Sequence, residues 1–320
     1  MQKAWIYEEH GPKEVLELRE IAVPRLKHNQ LLVQVRAAAL NPIDSKMRQR
    51  PIVPACFPMI PGCDMAGVVT KKGDSVLEFK IGDEVYGNIQ DFCADEVKQL
   101  GTLAEFIVVE EHLVALKPKN LSFEEAASLP VAVQTAIQGF RTAGFKEGQS
   151  VFVVGGAGGV GTLVVQLAKY LFGASKVVAT TSTAKLKFVK SLGADTVVDY
   201  TKTRYEDIKE KYDLVYDTVG DSKNSSIVAE DHAPIIDITW PPSNPRAIHS
   251  GLTVSGEILE KLRPYLESGV LKAVIDPAGP FHFSDVPQAF GYLETGRARG
   301  KVVVSSFPRQ SPSLMTLLID

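Results

Sequence analysis

The segment VFVVGGAGGVG constrains the fold of this chain more than any other stretch. Four apolar residues typical of a strand lead into a glycine-rich run, and the helix-like GTLVVQLAKYLF follows. In the spacing of Gly156, Gly158 and Gly161, the first glycine permits a tight turn, the second admits a pyrophosphate, and the third lets helix and strand pack closely. Free N–H groups at the start of such a helix bind phosphate. This context predicts a dinucleotide site rather than a turn without a ligand.

The residues after the loop indicate which dinucleotide binds. An NAD site usually has an acidic residue about 20 residues beyond the loop, on the ribose hydroxyls. No acidic residue occurs between positions 177 and 194. Hydroxyl and ammonium groups favour a 2′-phosphate, so Ser182 and Lys185 are predicted to bind it, and the predicted cofactor is NADPH. Lys187 and Lys190 are expected to lie on a solvated helix face.

From about residue 121 onward, strand-like and helix-like segments alternate. LSFEEAASLPVAVQTAIQGF predicts a helix with Ser122 as N-cap and Glu125 completing a capping box. Apolar runs such as KVVATT, DTVVDY, DLVYDTVG and PIIDIT then alternate with the helix-like runs AKLKFVKSLG and RYEDIKEKY. This alternation predicts an α/β fold with βαβ units and a parallel sheet.

The flanking regions are richer in strands. Before about residue 120, the short runs LLVQVRAAAL, MAGVVT, DEVYG and AEFIVVE are separated by turn formers, which predicts an irregular antiparallel or barrel-like domain. After about residue 260, EILEKLRPYLESG and SDVPQAFGYLETG predict helices, whereas LKAVI and KVVV predict strands. We expect this last segment to pack against the first domain.

Length, charge and cysteine content limit the class of protein. A chain of 320 residues fits two domains. The net charge of −3 gives no general attraction to nucleic acid or to anionic membranes, and no apolar run approaches the ~20 residues that span a bilayer. MQKAWIYEEHG lacks the apolar core of a signal peptide. Three cysteines (Cys56, Cys63 and Cys93) suggest reduced thiols, and we expect a cytoplasmic protein, with the chloroplast as the alternative.

A family resemblance rests on several motifs that occur in order: AAALNPIDSK, IPGCDMAGVV, GTLAEF, AASLPVAVQTA, VVGGAGGVG, DLVYDTVG and GRARGKVVV. Over residues 1 to 304 the chain resembles the zinc-independent medium-chain dehydrogenase/reductases, in particular the quinone oxidoreductase-like alkenal/one and enone oxidoreductases of plants. The resemblance implies a GroES-like catalytic domain formed by residues 1–121 and 263–320, a Rossmann domain formed by residues 122–262, and an active site in the cleft between them.

The resemblance also implies an activity. It suggests NADPH-dependent reduction of the activated C=C bond of α,β-unsaturated ketones and aldehydes, with hydride transfer to the β-carbon and protonation of the resulting enolate. It places Thr135 near the nicotinamide and Tyr200, together with Ser182 and Lys185, around the 2′-phosphate. Gly159, Val160 and Val219 are further expected cofactor contacts. The alternatives are an NADPH:quinone oxidoreductase and a non-catalytic, crystallin-like NADPH-binding protein. A small-molecule substrate and a monomer or homodimer are expected.

Two residues of NPIDSK are the candidate catalytic residues. Negative charge develops on the carbonyl oxygen of an enone during reduction, and Lys46 is the candidate hydrogen-bond donor to it. The alternative for Lys46 is an ordinary surface lysine. Asn41 is expected to orient the nicotinamide ribose or to fix its loop, and Asp44 to bond to backbone in a turn. No dedicated proton donor is evident, which leaves solvent or a cofactor hydroxyl.

The positions that bind zinc in related enzymes lack suitable residues. Those relatives have cysteine at the position of Asn41 and Gly-His-Glu at the positions of Gly62, Cys63 and Asp64. A catalytic zinc needs three suitable protein ligands, so no metal is predicted.

Two further residues are candidates for the substrate pocket. Cys63, where closer relatives usually have tyrosine, is interpreted as a small buried residue. The alternative is that it widens the pocket or offers a thiol to electrophilic substrates. Trp240, in a proline-rich loop, either forms one wall of the pocket or packs under that loop.

Overall fold

The computed structural model describes residues 1–52, 54, 56–90 and 100–308, so Cys93 and residues 309–320 lie outside the described part. The strands in these ranges are β1 (Gln2–Ile6), β2 (Glu17–Ile21), β3 (Gln30–Leu40), β4 (Asp64–Lys72), β5 (Glu84–Asn88), β6 (Phe106–Glu110), β7 (Val114–Leu116), β8 (Ser150–Val154), β9 (Lys176–Thr181), β10 (Thr196–Asp199), β11 (Leu214–Asp217), β12 (Ile235–Asp237), β13 (Ile248–His249), β14 (Phe281–His282) and β15 (Val302–Ser305). The α-helices are α1 (Pro42–Gln49), α2 (Phe123–Ala127), α3 (Pro130–Thr142), α4 (Gly159–Tyr170), α5 (Leu186–Ser191), α6 (Ser222–Ser225), α7 (Gly256–Glu267) and α8 (Val286–Glu294).

One sheet contains six parallel strands in the order β10-β9-β8-β11-β12-β13. Counted from β8, this is the order 3-2-1-4-5-6 of the Rossmann fold. The direction of winding reverses between β8 and β11, and ligands of such sheets bind in the crevice at the carboxyl ends of the strands. The predicted α/β fold with a parallel, doubly wound sheet is confirmed.

The second sheet has the order β14-β15-β3-β4-β5-β7, with β6 also pairing with β3. Its pairs are antiparallel except for β14 with β15. The long strand β3 pairs with β4, β6 and β15, so the segment after residue 260 returns to complete the sheet of the N-terminal half. This arrangement confirms a β-rich, GroES-like part. A separate ribbon pairs β1 with β2.

Apolar residues at helical spacing hold helices against the parallel sheet. Leu163 and Leu167 of α4 are buried in one cluster with Val151 and Val153 of β8. Such a stripe places one face of the helix on the sheet. Helix α7 joins the same cluster through Leu259, Leu262 and Leu266, and it runs across position 262/263, where the sequence predicts a domain boundary. In the described part of the chain, no helix is long and apolar enough to cross a membrane.

The first predicted helix begins as expected but is interrupted. Ser122 Oγ accepts a hydrogen bond from Glu125 N at 3.1 Å, and Ser122 N donates to Glu125 Oε2 at 2.9 Å, so the predicted capping box is confirmed. The single helix divides into α2 and α3, because Pro130 lacks an N–H and its fixed φ suits the first position of a new helix.

Two predicted elements are wrong. RYEDIKEKY forms only a 3₁₀ turn, Tyr205–Asp207. The end of the segment does not continue as a helix, because the backbone of Tyr212 pairs with Val228 and Glu230 instead. LKAVI forms no strand. Its last residue, Ile275, makes an isolated bridge with Lys301, so the segment follows β15 without joining a ladder.

Candidate active site

The glycine loop joins β8 to α4. Gly155 has a φ of +81°, which favours glycine, and Gly158 is the N-cap of α4. A Cβ at Gly161 would lie 2.1 Å from the carbonyl oxygen of Gly155, and a Cβ at Gly156 would lie 2.8 Å from the Cβ of Ala179. At Gly158 the nearest atom would be 3.6 Å away, so this position is open to a ligand. Gly156 and Gly161 thus allow close packing, and Gly158 leaves room for a ligand in front of the free N–H groups of α4.

A cleft of about 530 Å³ lies at the carboxyl ends of β8, β9 and β11. Gly155, Thr180, Tyr200, Val219 and Asn224 are among its lining residues. The structure therefore brings Tyr200 and Val219 together beside the glycine loop, and their side chains are 59% and 58% exposed. Large apolar side chains exposed beside a cleft are suited to contact with a planar ligand.

Ser182 and Lys185 follow β9 at the same edge of the sheet. In the described part of the chain, the Ser182 hydroxyl makes no hydrogen bond. Lys185 Nζ donates to the carbonyl oxygens of Arg297, at 2.7 Å, and Ala298, at 3.2 Å. Burial lowers the pKa of Lys185. Because an ammonium has three N–H donors, one remains for a phosphate oxygen. Lys187 is exposed, as expected of a solvated helix face.

A buried polar network begins at Asn41, directly before α1. Asn41 Nδ2 donates to Asp64 Oδ2 at 2.9 Å, and Lys301 Nζ donates to Asn41 Oδ1 and, at 3.0 Å, to Asp64 Oδ2. Val131 N donates to Asp64 Oδ1 at 2.8 Å. The exposed fractions of Asn41, Asp64 and Lys301 are 4%, 0% and 4%. Burial raises the pKa of Asp64, while Lys301 acts in the opposite direction.

Lys301 is absent from the sequence-based candidates. The available signal is a lysine directly before the apolar strand VVV, which is an unusual position for a charge unless the charge is paired. Its partners are distant in the sequence, since Asn41 lies 260 positions and Asp64 lies 237 positions before Lys301. No local pattern could have identified them.

Asp44 connects the start of α1 to Cys63. Asn41 N donates to Asp44 Oδ2 at 2.7 Å, as expected of a turn residue, and the Cys63 thiol donates to Asp44 Oδ1 at 2.9 Å. Burial raises the pKa of Asp44 to about 6. Burial, together with the neighbouring Asp44, raises the pKa of Cys63 well above its usual value. The thiol is thus a buried hydrogen-bond donor, and this environment disfavours a nucleophilic thiolate.

Cys63 borders a small cavity. The cavity measures about 10 Å³ and is also lined by Tyr7, Asp44, Met47 and Met59. This volume is about what a single water molecule needs. The cavity is therefore too small for an enone.

The remaining candidates lie on α1, on α3 and in the loop after β12. Lys46 is half-buried on α1, and its ammonium has no hydrogen-bond or ion-pair partner among the described residues. Thr135 is half-buried on α3, and its carbonyl oxygen accepts a hydrogen bond from the Tyr216 hydroxyl at 2.8 Å. Trp240 is 68% exposed, with its ring 5.1 Å from that of His249. It lines neither the cleft beside the glycine loop nor the cavity at Cys63.

Comparison with known proteins identifies the family. The profile of an alcohol dehydrogenase GroES-like domain matches residues 27–119, and that of a zinc-binding dehydrogenase matches residues 192–304. Over 309 residues the chain is 52% identical to the 2-methylene-furan-3-one reductase of Solanum lycopersicum, covering 96% of this chain and 79% of that protein. The chain belongs to the medium-chain dehydrogenase/reductase family. The resemblance inferred from the motifs is confirmed.

Two further similar proteins support the assignment of this chain to the medium-chain dehydrogenase/reductase family. It is 48% identical over 309 residues to the chloroplastic NADPH-dependent alkenal/one oxidoreductase of Arabidopsis thaliana, covering 96% of this chain and 80% of that protein. Its fold is similar to the structure of the quinone oxidoreductase from Coxiella burnetii, with a TM-score of 0.82 and 31% identity, covering 95% of this chain and 99% of that chain.

The residues at the zinc positions of this family do not fit a metal in this member. Asp64 already accepts hydrogen bonds from Val131, Asn41 and Lys301, and the ammonium of Lys301 is the cation at this position. The Cys63 thiol donates to Asp44, and burial raises its pKa, which disfavours the thiolate that a metal would bind. In the part of the chain that the structure describes, no group of three or more His, Cys, Asp or Glu side chains could hold a metal ion.

Proposed function

We propose that this protein is an NADPH-dependent reductase of the activated C=C bond of α,β-unsaturated ketones and aldehydes. The observation that carries the proposal is the ammonium of Lys301, bound to Asn41 and Asp64 where zinc-dependent members bind their metal, beside an intact dinucleotide loop. Such a site favours hydride chemistry without a Lewis-acid metal. The names of the tomato and Arabidopsis relatives support the substrate class.

The described residues fit NADPH. The open position at Gly158 and the free N–H groups of Gly159, Val160 and Gly161 suit the pyrophosphate. The Ser182 hydroxyl and the third N–H of Lys185 suit the 2′-phosphate. We assign Tyr200 to the surroundings of the 2′-phosphate and Val219 to a further cofactor contact, since both residues line the cleft. When bound, the cofactor supplies the hydride that adds to the β-carbon of the substrate.

The protein's own contribution is position and charge. We assign Lys46 as the donor to the substrate carbonyl oxygen, since its ammonium has no competing partner among the described residues. A donor fixed at this oxygen stabilises the negative charge that develops there. Thr135 is assigned to the nicotinamide end. Protonation of the α-carbon is assigned to solvent. The assignment of Cys63 and Trp240 to the substrate pocket stays a prediction from the sequence, since Cys63 borders only the cavity of about 10 Å³ and Trp240 lines neither that cavity nor the cleft.

Quinone reduction is the second candidate function. The similarity to the Coxiella quinone oxidoreductase, at 31% identity over nearly the whole chain, favours it. Both activities require the same NADPH-binding residues and differ in the molecule that accepts the hydride. The third possibility is a non-catalytic, crystallin-like NADPH-binding protein, which an experiment must distinguish from the two catalytic functions.

We further propose the domain division 1–121 with 263–320 and 122–262, with α7 spanning the second junction. A monomer or homodimer in the cytoplasm is proposed, with the chloroplast as the alternative because one relative is chloroplastic. Light scattering of the purified protein tests the oligomeric state, and fractionation of cells that express a tagged chain tests the compartment.

The proposed function is tested by following NADPH absorbance with purified protein. A simple enone, an alkenal and a quinone are compared as acceptors, with NADH as the control cofactor. The proposal predicts fast oxidation of NADPH with the enone and alkenal, and slow oxidation of NADH. Turnover with the quinone alone would establish the second candidate. Tight NADPH binding without any turnover would establish the non-catalytic alternative.

A further inference from the structure

Lys301 connects the cofactor loop to the candidate catalytic residues. Gly300 N donates to the carbonyl oxygen of Ala157 at 2.9 Å, so the segment that carries Lys301 pairs directly with the glycine loop. A Cβ at Gly159 would lie 2.9 Å from Lys301 Cδ, which shows that the lysine stem passes over the first residue of α4. The ammonium at its end reaches Asn41 and Asp64.

The partners of Lys301 lie at the starts of two other helices. Asn41 is the N-cap of α1, and Asp64 accepts a hydrogen bond from Val131 in the first turn of α3. Lys46 follows one turn along α1, and Thr135 follows one turn along α3. The network therefore joins the N-termini of α1, α3 and α4. These three helices carry the proposed carbonyl donor, the proposed nicotinamide contact and the phosphate loop.

Stability alone does not account for this arrangement. Burying an ammonium and a carboxylate costs desolvation free energy, and well-packed apolar residues are often at least as stable in place of a buried ion pair. Buried ionic groups specify a single geometry in some proteins, and here each charge has further hydrogen bonds that fix its direction.

We propose that Lys301 is a positioning residue for hydride transfer. It holds Asn41 and Asp64 so that the start of α1, the start of α3 and the phosphate loop keep one relative position. The inference rests on the proposed function, because it concerns the distance between the transferred hydride and the acceptor carbon. Lys301 acts through its neighbours and is not assigned a contact with the substrate.

The test compares Lys301→Met, which keeps the length of the stem and removes the charge, with Lys301→Arg. Lys169→Met is the matched control, because Lys169 lies at the other end of α4 and forms a 2.7 Å ion pair with Asp195. We expect Lys301→Met to lower kcat by about 100-fold, a loss that a misplacement of about 1 Å can cause. Lys301→Arg is expected to recover part of this loss, and Lys169→Met to keep the wild-type kcat.

Three readouts separate positioning from a general structural role. The primary isotope effect with NADPH deuterated at C4 should rise in Lys301→Met, because hydride transfer becomes rate-limiting. The dissociation constant of NADPH, measured by fluorescence, should change far less than kcat. The thermal midpoint should fall no further than in Lys169→Met.

Other results would overturn the inference. A wild-type kcat and isotope effect in Lys301→Met would refute it while leaving the proposed function intact. Equal losses of NADPH binding, thermal stability and kcat, without recovery in Lys301→Arg, would show a merely structural role. If Lys301→Met does not fold, Lys301→Gln takes its place, because glutamine also removes the charge, and a wild-type kcat and isotope effect in that variant would refute positioning. An inactive wild-type protein would refute the proposed function, and this inference with it.

Discussion

Replacement of Lys185 by methionine tests how the protein distinguishes NADPH from NADH. Two of the three ammonium donors bind the carbonyl oxygens of Arg297 and Ala298, which leaves one for the 2′-phosphate. A hydrogen bond to a charged group contributes about 1.5–3 kcal/mol. Since about 1.4 kcal/mol corresponds to a tenfold change, the preference of kcat/KM for NADPH over NADH should fall by about 10- to 150-fold.

The bonds to Arg297 and Ala298 are lost with either cofactor, so their removal should affect NADPH and NADH alike. The assay is therefore the ratio of kcat/KM for the two cofactors, with one enone acceptor at a fixed concentration. Lys187→Met is the control, since Lys187 is exposed. A surface change of this kind alters free energy by at most about 0.5 kcal/mol, or about twofold in the ratio. Equal losses with NADPH and NADH in Lys185→Met would refute the contact with the 2′-phosphate.

Three further perturbations test other parts of the site. Lys46→Met should lower kcat with enones by about 10²- to 10³-fold at unchanged NADPH affinity, as expected for loss of one donor to a developing oxyanion, and an unchanged kcat would mark Lys46 as a surface lysine. Gly161→Ala should weaken NADPH binding and lower the thermal midpoint, because its Cβ would lie 2.1 Å from the Gly155 carbonyl oxygen. In Gly158→Ala the nearest atom to the new Cβ is 3.6 Å away, so this change should weaken NADPH binding and preserve the thermal midpoint. Asp217 is the buried last residue of β11, beside the cleft. Burial raises its pKa from 3.8 to about 6, so its contribution to stability is present below about pH 3.8 and is lost as the pH rises through 6. Asp217→Asn should make the decline in thermal midpoint between about pH 4 and 6.5 smaller, with the part due to Asp44 remaining, and parallel curves for the two proteins would contradict this prediction.

The features predicted from the sequence are those that local patterns encode. The glycine spacing and its strand–helix context identified the loop, and the Ser122 capping box appears at the predicted residues. The alternation of strand-like and helix-like segments predicts the parallel sheet correctly. The pattern of LSFEEAASLPVAVQTAIQGF predicts a single helix, whereas the structure has two. Pro130 divides it, because a proline can begin a helix as readily as it ends one.

The features that escaped prediction depend on distant contacts. Periodicity cannot connect Lys301 to Asn41 across 260 residues, or Lys185 to the carbonyl oxygens near residue 297. For the same reason the sequence alone does not decide whether Cys63 is a buried residue or a reactive thiol. Burial and the Asp44 carboxylate raise the pKa of Cys63, and neither follows from its neighbours in the sequence. Tertiary contacts of this kind decide the chemistry of the candidate site.

The central claim is that hydride from NADPH reaches the β-carbon of an α,β-unsaturated carbonyl compound. It is tested most directly with NADPH deuterated at C4 and a simple enone in ordinary water, followed by NMR of the product. The account predicts a saturated ketone with deuterium on the β-carbon and a solvent hydrogen on the α-carbon. Deuterium on the carbonyl carbon of an unsaturated alcohol would contradict the account, because it would identify carbonyl reduction instead.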